Sequence, residues 1–469
     1  MRRCVALMAC ALLLAAPSAA EQAFDPKPWL DDLAQMHAAL TTKYANIEWA
    51  ITDRGADLDD YFGRARKRIL RANDAGSTMA AFDGLIRRLG DGHVEIAWPQ
   101  HTAPNAASVS GQDICKEAGY DAAKLGAPLA ALMTGYTQIR SGSFPAGTVQ
   151  IGSRRIGILK IALFSPDGMP ELCRAALAAL KVAPTGPCDD KCRERVAKET
   201  EAHLNDDFVA ALEALNTAHV DLLLVDVTGN GGGSEWVEAA ARMVTPLRLK
   251  SERIAFVRGA QWSKEFADAE RDLRKAAANA SPVDREFLIH LADAARAKRT
   301  IAETPCPRPD CVLGEGFYAS GFIDSADPKS LEGKPWAADV FTPMEHPYRE
   351  GIWRGPLLVL VDQETWSAAE EFAAVLQDNH AATIVGEPTG GAGCGHTDGA
   401  EPVILTHSGG KLSLPDCARL RADGSNEVRG IIPDVALPWG RHDGPELRAA
   451  ALLRALPVAL ERHRDAPSQ

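Results

Sequence analysis

The sequence predicts an α/β protein, and three stretches carry that prediction. Asp221 to Asp226 is an apolar run that ends in Gly229-Asn230-Gly231-Gly232-Gly233, with a helical pattern beginning at Glu235. Leu357 to Val361 is a second such run, and Phe372, Val375 and Leu376 follow it at helical spacing. Ala382 to Val385 is a third. Short apolar runs alternating with amphipathic helices are the pattern of buried strands covered by helices.

The other elements can be read in order. Arg2 and Arg3 precede the apolar stretch Val5 to Ala16, and Pro17-Ser18-Ala19-Ala20 follows it. A basic start, a short apolar segment and small residues predict a secretory signal peptide over 1–20. It is too short for a stable membrane span after cleavage. Trp29, Leu33, Met36, Leu40 and Tyr44 recur every three to four residues, and Leu58–Leu70 and Met79–Leu89 repeat the pattern. A small helical N-terminal domain is expected over 24–98. It stops at Gly90-Asp91-Gly92 and delivers His93 to a strand. A connecting region spans 99–154, with a strand near Thr148 to Ile151. The main core spans 155–440, from a strand at Arg155 to Ile161, through a helix at Phe208 to Leu215, to strands near Pro402 to Thr406 and Lys411 to Leu414. Residues 250–345, rich in charge, read as an insertion, and 441–469 as a C-terminal helix and tail.

With 469 residues, 46% hydrophobic and 24% charged, the chain has the composition of a soluble globular protein. Its net charge of −12 makes nucleic acid an unexpected partner. Eight cysteines lie beyond the leader: Cys115, Cys173, Cys188, Cys192, Cys306, Cys311, Cys394 and Cys417. An even number in an exported chain favours disulfides, whose connectivity the spacing leaves open. Cys188 with Cys192 and Cys306 with Cys311 are close enough in sequence to bridge within one loop, and Cys394 and Cys417 flank two predicted neighbouring strands, so a bridge there is also expected. No set of metal ligands or cofactor motif is present, so neither group is expected.

Four segments carry chemistry. Ser367, in Thr365-Trp366-Ser367-Ala368-Ala369-Glu370, falls where a strand turns into a helix. A serine there caps a helix or, beside the free N–H groups of the helix start, attacks a carbonyl. Asp226 to Gly233 puts a glycine loop at the C-terminal end of a buried strand, where ligands of α/β sheets gather. His93, in Asp91-Gly92-His93, is a base able to activate a serine. Glu427 precedes Gly430-Ile431-Ile432-Pro433-Asp434 and offers a carboxylate to orient an imidazole.

Together these segments resemble the S41 peptidase family, which includes the C-terminal processing proteases, the tricorn core protease and the retinol-binding-protein repeats. The resemblance rests on Asp-x-x-x-Asn-x-Gly-Gly at Asp226 to Gly233 and Thr-x-Ser-Ala-Ala-Glu at Thr365 to Glu370. Val385-Gly386-Glu387-Pro388-Thr389-Gly390 and the Gly430 to Asp434 run support it. It implies a crotonase-like (ClpP/crotonase-type) protease core, with Ser367 as nucleophile and the N–H groups of Gly232 and Ala368 as oxyanion donors. The processing proteases use a lysine in a Thr-Phe-Gly-Lys-Gly run, but here that position holds Ala392. The tricorn-like branch, many of whose members lack a PDZ module, uses a histidine and a glutamate that map onto His93 and Glu427. His396 is a rival base. Thr228 replaces the family's arginine, which leaves the local ion pairing open.

The expected function is an exported, periplasmic or secreted serine endopeptidase. It cleaves peptide or protein substrates through an acyl-enzyme on Ser367, with His93 as general base. A non-catalytic binding protein on the same fold is the alternative. Oligomeric state is not legible.

Overall fold

The computed structural model describes residues 24–99, 113–120, 126–304, 306, 310–397, 399–440 and 442–465, so the expected signal peptide lies outside the described residues. Seven strands form one mixed sheet. Their order is Val435–Ala436, Thr383–Gly386, Leu357–Val361, Leu222–Asp226, Arg154–Lys160, Ala146–Ile151 and Thr137–Arg140. The first five pair in parallel, and the last two join antiparallel. The central strands are apolar throughout because both faces are covered. Leu223, Val225, Leu357 and Val359 pack against Phe208, Trp236 and Phe372 on one side. Leu222, Leu224, Leu358 and Leu360 meet Leu452 and Leu456 of the C-terminal helix, Pro445–Asp465, on the other. Asp226 and Leu360 are register partners, so the glycine loop and the Ser367 turn leave the sheet side by side.

Helices at Lys27–Lys43, Ile47–Thr52, Leu58–Ile69 and Ala75–Leu89 form the N-terminal region. Asp57 and Asp74 cap two of them by accepting from the N–H groups of Asp60 and Ser77. The last ends at Gly90 with φ +71°, a left-handed stop that glycine adopts freely. These helices share one apolar core with Val257, Leu405, Leu412 and Val428. The strand after them, Glu95–Ala97, pairs with Lys411–Ser413. A chain break at 98 would therefore cut through packed structure.

Two helices in the polar stretch before the glycine loop are longer than the sequence suggests. Pro170–Leu180 was not expected, and Asp190–Thr217 extends far beyond Phe208 to Leu215. In the second, Val196, Thr200, Leu204, Phe208 and Leu212 make a buried stripe at four-residue spacing, which the surrounding charges mask. Residues 250–345 form a helical hairpin, Ala260–Ala278 with Pro282–Ala302, and two strands, Arg253–Val257 and Leu313–Tyr318. Those strands join Cys417–Leu420 in a separate three-stranded sheet. The insertion is thereby tied to a core segment beside Ser367. Among the described residues no helix is long and apolar enough to cross a membrane.

All eight cysteines are paired: Cys115–Cys173, Cys188–Cys192, Cys306–Cys311 and Cys394–Cys417. Thiol titration of the denatured, unreduced protein is expected to find almost none of these eight. Eight titratable thiols at these positions would refute the pairing.

Candidate active site

The backbone of Ser367 has φ +55° and ψ −122°, a left-handed conformation that costs a side-chain-bearing residue energy. An ordinary N-cap has no need of it. The turn is over-determined by its neighbours. Thr365 is fully buried, with its hydroxyl bonded to Asp362 and to the Val227 carbonyl. The Trp366 N–H donates to Asn230 O at 2.9 Å, and the Ser367 N–H donates to Glu370 Oε2 at 3.0 Å. Strain held by surrounding bonds marks positions that work.

Ala368 opens the helix Ala368–Asp378, and its N–H has no protein acceptor among the described residues. It lies beside Gly232, where an added Cβ would sit 2.7 Å from Ser367 Cβ and 3.2 Å from the Ala368 nitrogen. Gly232 also has φ +115°, so only glycine fits here. The expected role of its N–H needs correction, however. That N–H donates to Asn230 Oδ1 at 2.8 Å. The Asn230 carboxamide is fully buried, and its nitrogen donates to Ile161 O, which turns its oxygen toward Gly232. Of these two N–H groups, that of Ala368 is the one without a protein acceptor among the described residues. The pairing left open at Asp226 is also resolved. Its carboxylate takes Lys160 Nζ at 3.1 Å from the adjacent strand, in place of the arginine that Thr228 replaces.

His93 sits on a turn fixed by Asp91, which is buried and accepts from Tyr44 Oη, Asn46 Nδ2 and the His93 N–H, each at 2.9 Å. The ring's Nδ1 donates to the Ala392 carbonyl at 2.9 Å, which leaves Nε2 free to accept a proton. Burial pushes the imidazole below its ordinary value, opposed by the charge of Asp91. The shift favours the neutral imidazole. The rival, His396, is exposed, and its Nε2 is bonded to the His93 carbonyl at 3.0 Å. It braces the His93 turn. Ser367 Oγ makes no hydrogen bond to either ring among the described residues, a spacing common in unliganded sites.

Glu427 does not reach the imidazole, contrary to expectation. Both its oxygens accept from Arg419, Nε and Nη2 at 2.7 Å each. Burial works to raise this carboxyl, but Arg419 outweighs it and holds Glu427 below the usual carboxylate range. Arg419 also donates to the carbonyls of Ser367 and Gly393, 3.0 Å each. Glu427 thus supports the Ser367 turn through Arg419. Next to it, Asn426 Nδ2 donates to Asn46 Oδ1, which ties this segment to the Asp91 turn.

Two positioning residues escaped the sequence reading. Arg419 is one. The other is Glu370, fully buried, whose oxygens receive five donors: Thr389 Oγ1 and the N–H groups of Gly391, Ala392, Gly393 and Ser367. It fixes the Ser367 turn to the loop whose Ala392 carbonyl orients His93. Burial raises this carboxyl and the charge of Glu427 adds to that, while the donors pull the other way. Glu370→Gln would set an NH2 group against N–H donors. It is expected to cost on the order of 2–4 kcal/mol of stability and to lower kcat with it; a melting curve and activity equal to wild type would refute the role.

The disulfide Cys394–Cys417 joins this loop to the Arg419 strand, two residues from Ala392 and two from Arg419. Its neighbour Gly395 has φ +78°, and a Cβ there would meet the His93 ring at 2.8 Å. Closing a loop of this length contributes roughly 3 kcal/mol in the chain-entropy model. Cys394→Ser/Cys417→Ser is expected to lose activity at temperatures where circular dichroism still reports a folded protein. Coincident loss of fold and activity would refute a local role for this bridge.

The sequence model of peptidase family S41 matches residues 194–437. The protein CPj1016/CpB1054 of Chlamydia pneumoniae is 33% identical over 128 residues, 27% of this chain and 19% of that protein. The match thus spans about a fifth of that relative's length. Among solved structures, mature CPAF complexed with lactacystin superposes with a TM-score of 0.61 at 15% identity, covering 94% of this chain and 99% of that one. Mature CPAF gives 0.56 at 15% identity, covering 95% and 99%. At such identity the likeness is one of fold.

Proposed function

Because this chain belongs to peptidase family S41 and is a serine-type peptidase, we propose that it is an endopeptidase of the tricorn-like kind, with a crotonase-like core and with Ser367 as nucleophile and His93 as general base. His93 Nε2 takes the Ser367 proton as Oγ attacks the scissile carbonyl. The Ala368 N–H stabilises the oxyanion, and that of Gly232 joins it on exchanging Asn230 for the oxyanion. The imidazolium then protonates the leaving amine, and water, deprotonated by the same ring, releases the acyl group. Ala392 O holds the ring in the required tautomer, and Glu427 acts through Arg419.

The observation that carries this reading is the strained Ser367 turn, with the unengaged Ala368 N–H beside it. The four disulfides support export to an oxidising compartment. A fluorophosphonate probe applied to the folded protein is expected to label Ser367, and peptide mapping locates the adduct. Labelling at another residue would place the nucleophile elsewhere, and none under conditions where the protein is folded would favour a non-catalytic binding protein.

A further inference from the structure

We infer that Trp366 is the positioning residue that assembles the site, because its indole is wedged between the turn carrying His93 and the loop carrying the carbonyl that orients it. The inference rests on the proposed roles of Ser367 and His93.

Trp366 immediately precedes the nucleophile, and its side chain is 39% exposed, unusual for a large apolar ring in a site of buried supports. Two glycines explain what the covered part touches. At Gly92 an added Cβ would stand 2.7 Å from Cζ3 of the indole and 3.0 Å from Cε3. At Gly390 it would stand 1.9 Å from Nε1 and 2.3 Å from Cδ1. The six-membered edge therefore lies on the backbone just before His93, and the pyrrole edge on the backbone two residues before Ala392. Neither contact has room for a methyl group. The indole Nε1 donates to Gln363 O at 2.8 Å, which locks the ring's rotation.

The ring thus touches both supports of His93 and is covalently next to Ser367. The His93 ring reaches the Ser367 turn by hydrogen bonds only through the Ala392 loop, whereas the indole packs on the Gly92 backbone itself. Asp91 fixes the His93 turn to the N-terminal helices, and Glu370 fixes the Ser367 turn to the 389–393 loop. Trp366 brings these two units into register by packing. Misplacing a general base by about an ångström is enough to lower a rate by about 100-fold.

The test is a double-mutant cycle on a fluorogenic peptide that the wild-type protein cleaves. Trp366→Ala is expected to lower kcat by about 100-fold with KM changed less than threefold. Gly92→Ala, which pushes the His93 turn off the ring, is expected to do the same. Because both break one contact, the double variant should be no slower than the slower single. Trp366→Phe, which keeps a ring, should recover to within about tenfold of wild type.

A change confined to KM would make Trp366 a substrate wall and overturn the inference. So would multiplicative single effects, or kcat within threefold of wild type. If Trp366→Ala does not fold, Gly92→Ala with Trp366→Phe supplies the cycle. Wild-type activity in Ser367→Ala would instead overturn the proposed nucleophile, a separate failure.

Discussion

Ser367→Ala is expected to lower kcat by about four to six powers of ten, the largest effect of any substitution in this protein. The change deletes one oxygen of the capping box and leaves the other bonds that hold the turn. The Ser367 N–H still donates to Glu370, its carbonyl still accepts from Arg419, and the Cβ that faces Gly232 remains. Stability should therefore move by less than about 0.5 kcal/mol. Ser367→Gly makes the complementary case. Glycine has no Cβ to resist φ +55°, so relief of strain should leave it about 1 kcal/mol more stable than the alanine variant, while equally inactive. Denaturant melts and peptide hydrolysis on the same three proteins check both. An alanine variant already as stable as the glycine one would mean that the turn stores no strain, and residual activity in the alanine variant would place the nucleophile elsewhere.

The parts of this site that the sequence discloses are those whose chemistry resides in a side chain next to a regular element. Ser367 and the glycine loop follow the two most apolar strands, so period and position locate them together. His93 follows a clear helix stop. The parts it conceals are of two kinds. Ala392 contributes a carbonyl, which any residue possesses, so no residue type announces it. Arg419 lies on a four-residue strand that follows Pro415 and pairs with the insertion; its partner Glu371 is distant in sequence, and Glu427, eight residues on, lies beyond the turn that ends the strand. Only the fold brings them together. Glu370 was in plain view in the Ser-Ala-Ala-Glu run. Its spacing from Ser367 is that of a capping box, and that signal would have linked it to the Ser367 N–H. Its four other donors come from residues 389–393, which no local pattern connects to it.

The two histidines should separate cleanly by pH as well as by rate. His93→Ala is expected to lower kcat by about three to four powers of ten, whereas His396→Ala, which removes only a brace on the His93 carbonyl, should cost about tenfold or less. The sign of the pH dependence follows from the role of each ring. A general base works in its neutral form, so activity is full above its pKa and falls as pH drops through it. Burial holds the His93 imidazole below its ordinary value of about 6.5, so the acid limb of kcat/KM should lie below pH 6.5. Nearby positive charge from Arg419 acts in the same direction, against the pull of Asp91. Asp91→Asn should therefore move the limb to still lower pH, provided the turn survives the loss of an acceptor bonded to Tyr44, Asn46 and the His93 N–H. His396→Ala removes a like charge and should shift the limb slightly upward. A limb that disappears in His396→Ala but persists in His93→Ala would transfer the base to His396, and the Ala392 carbonyl would then orient a histidine with no part in the proton transfer.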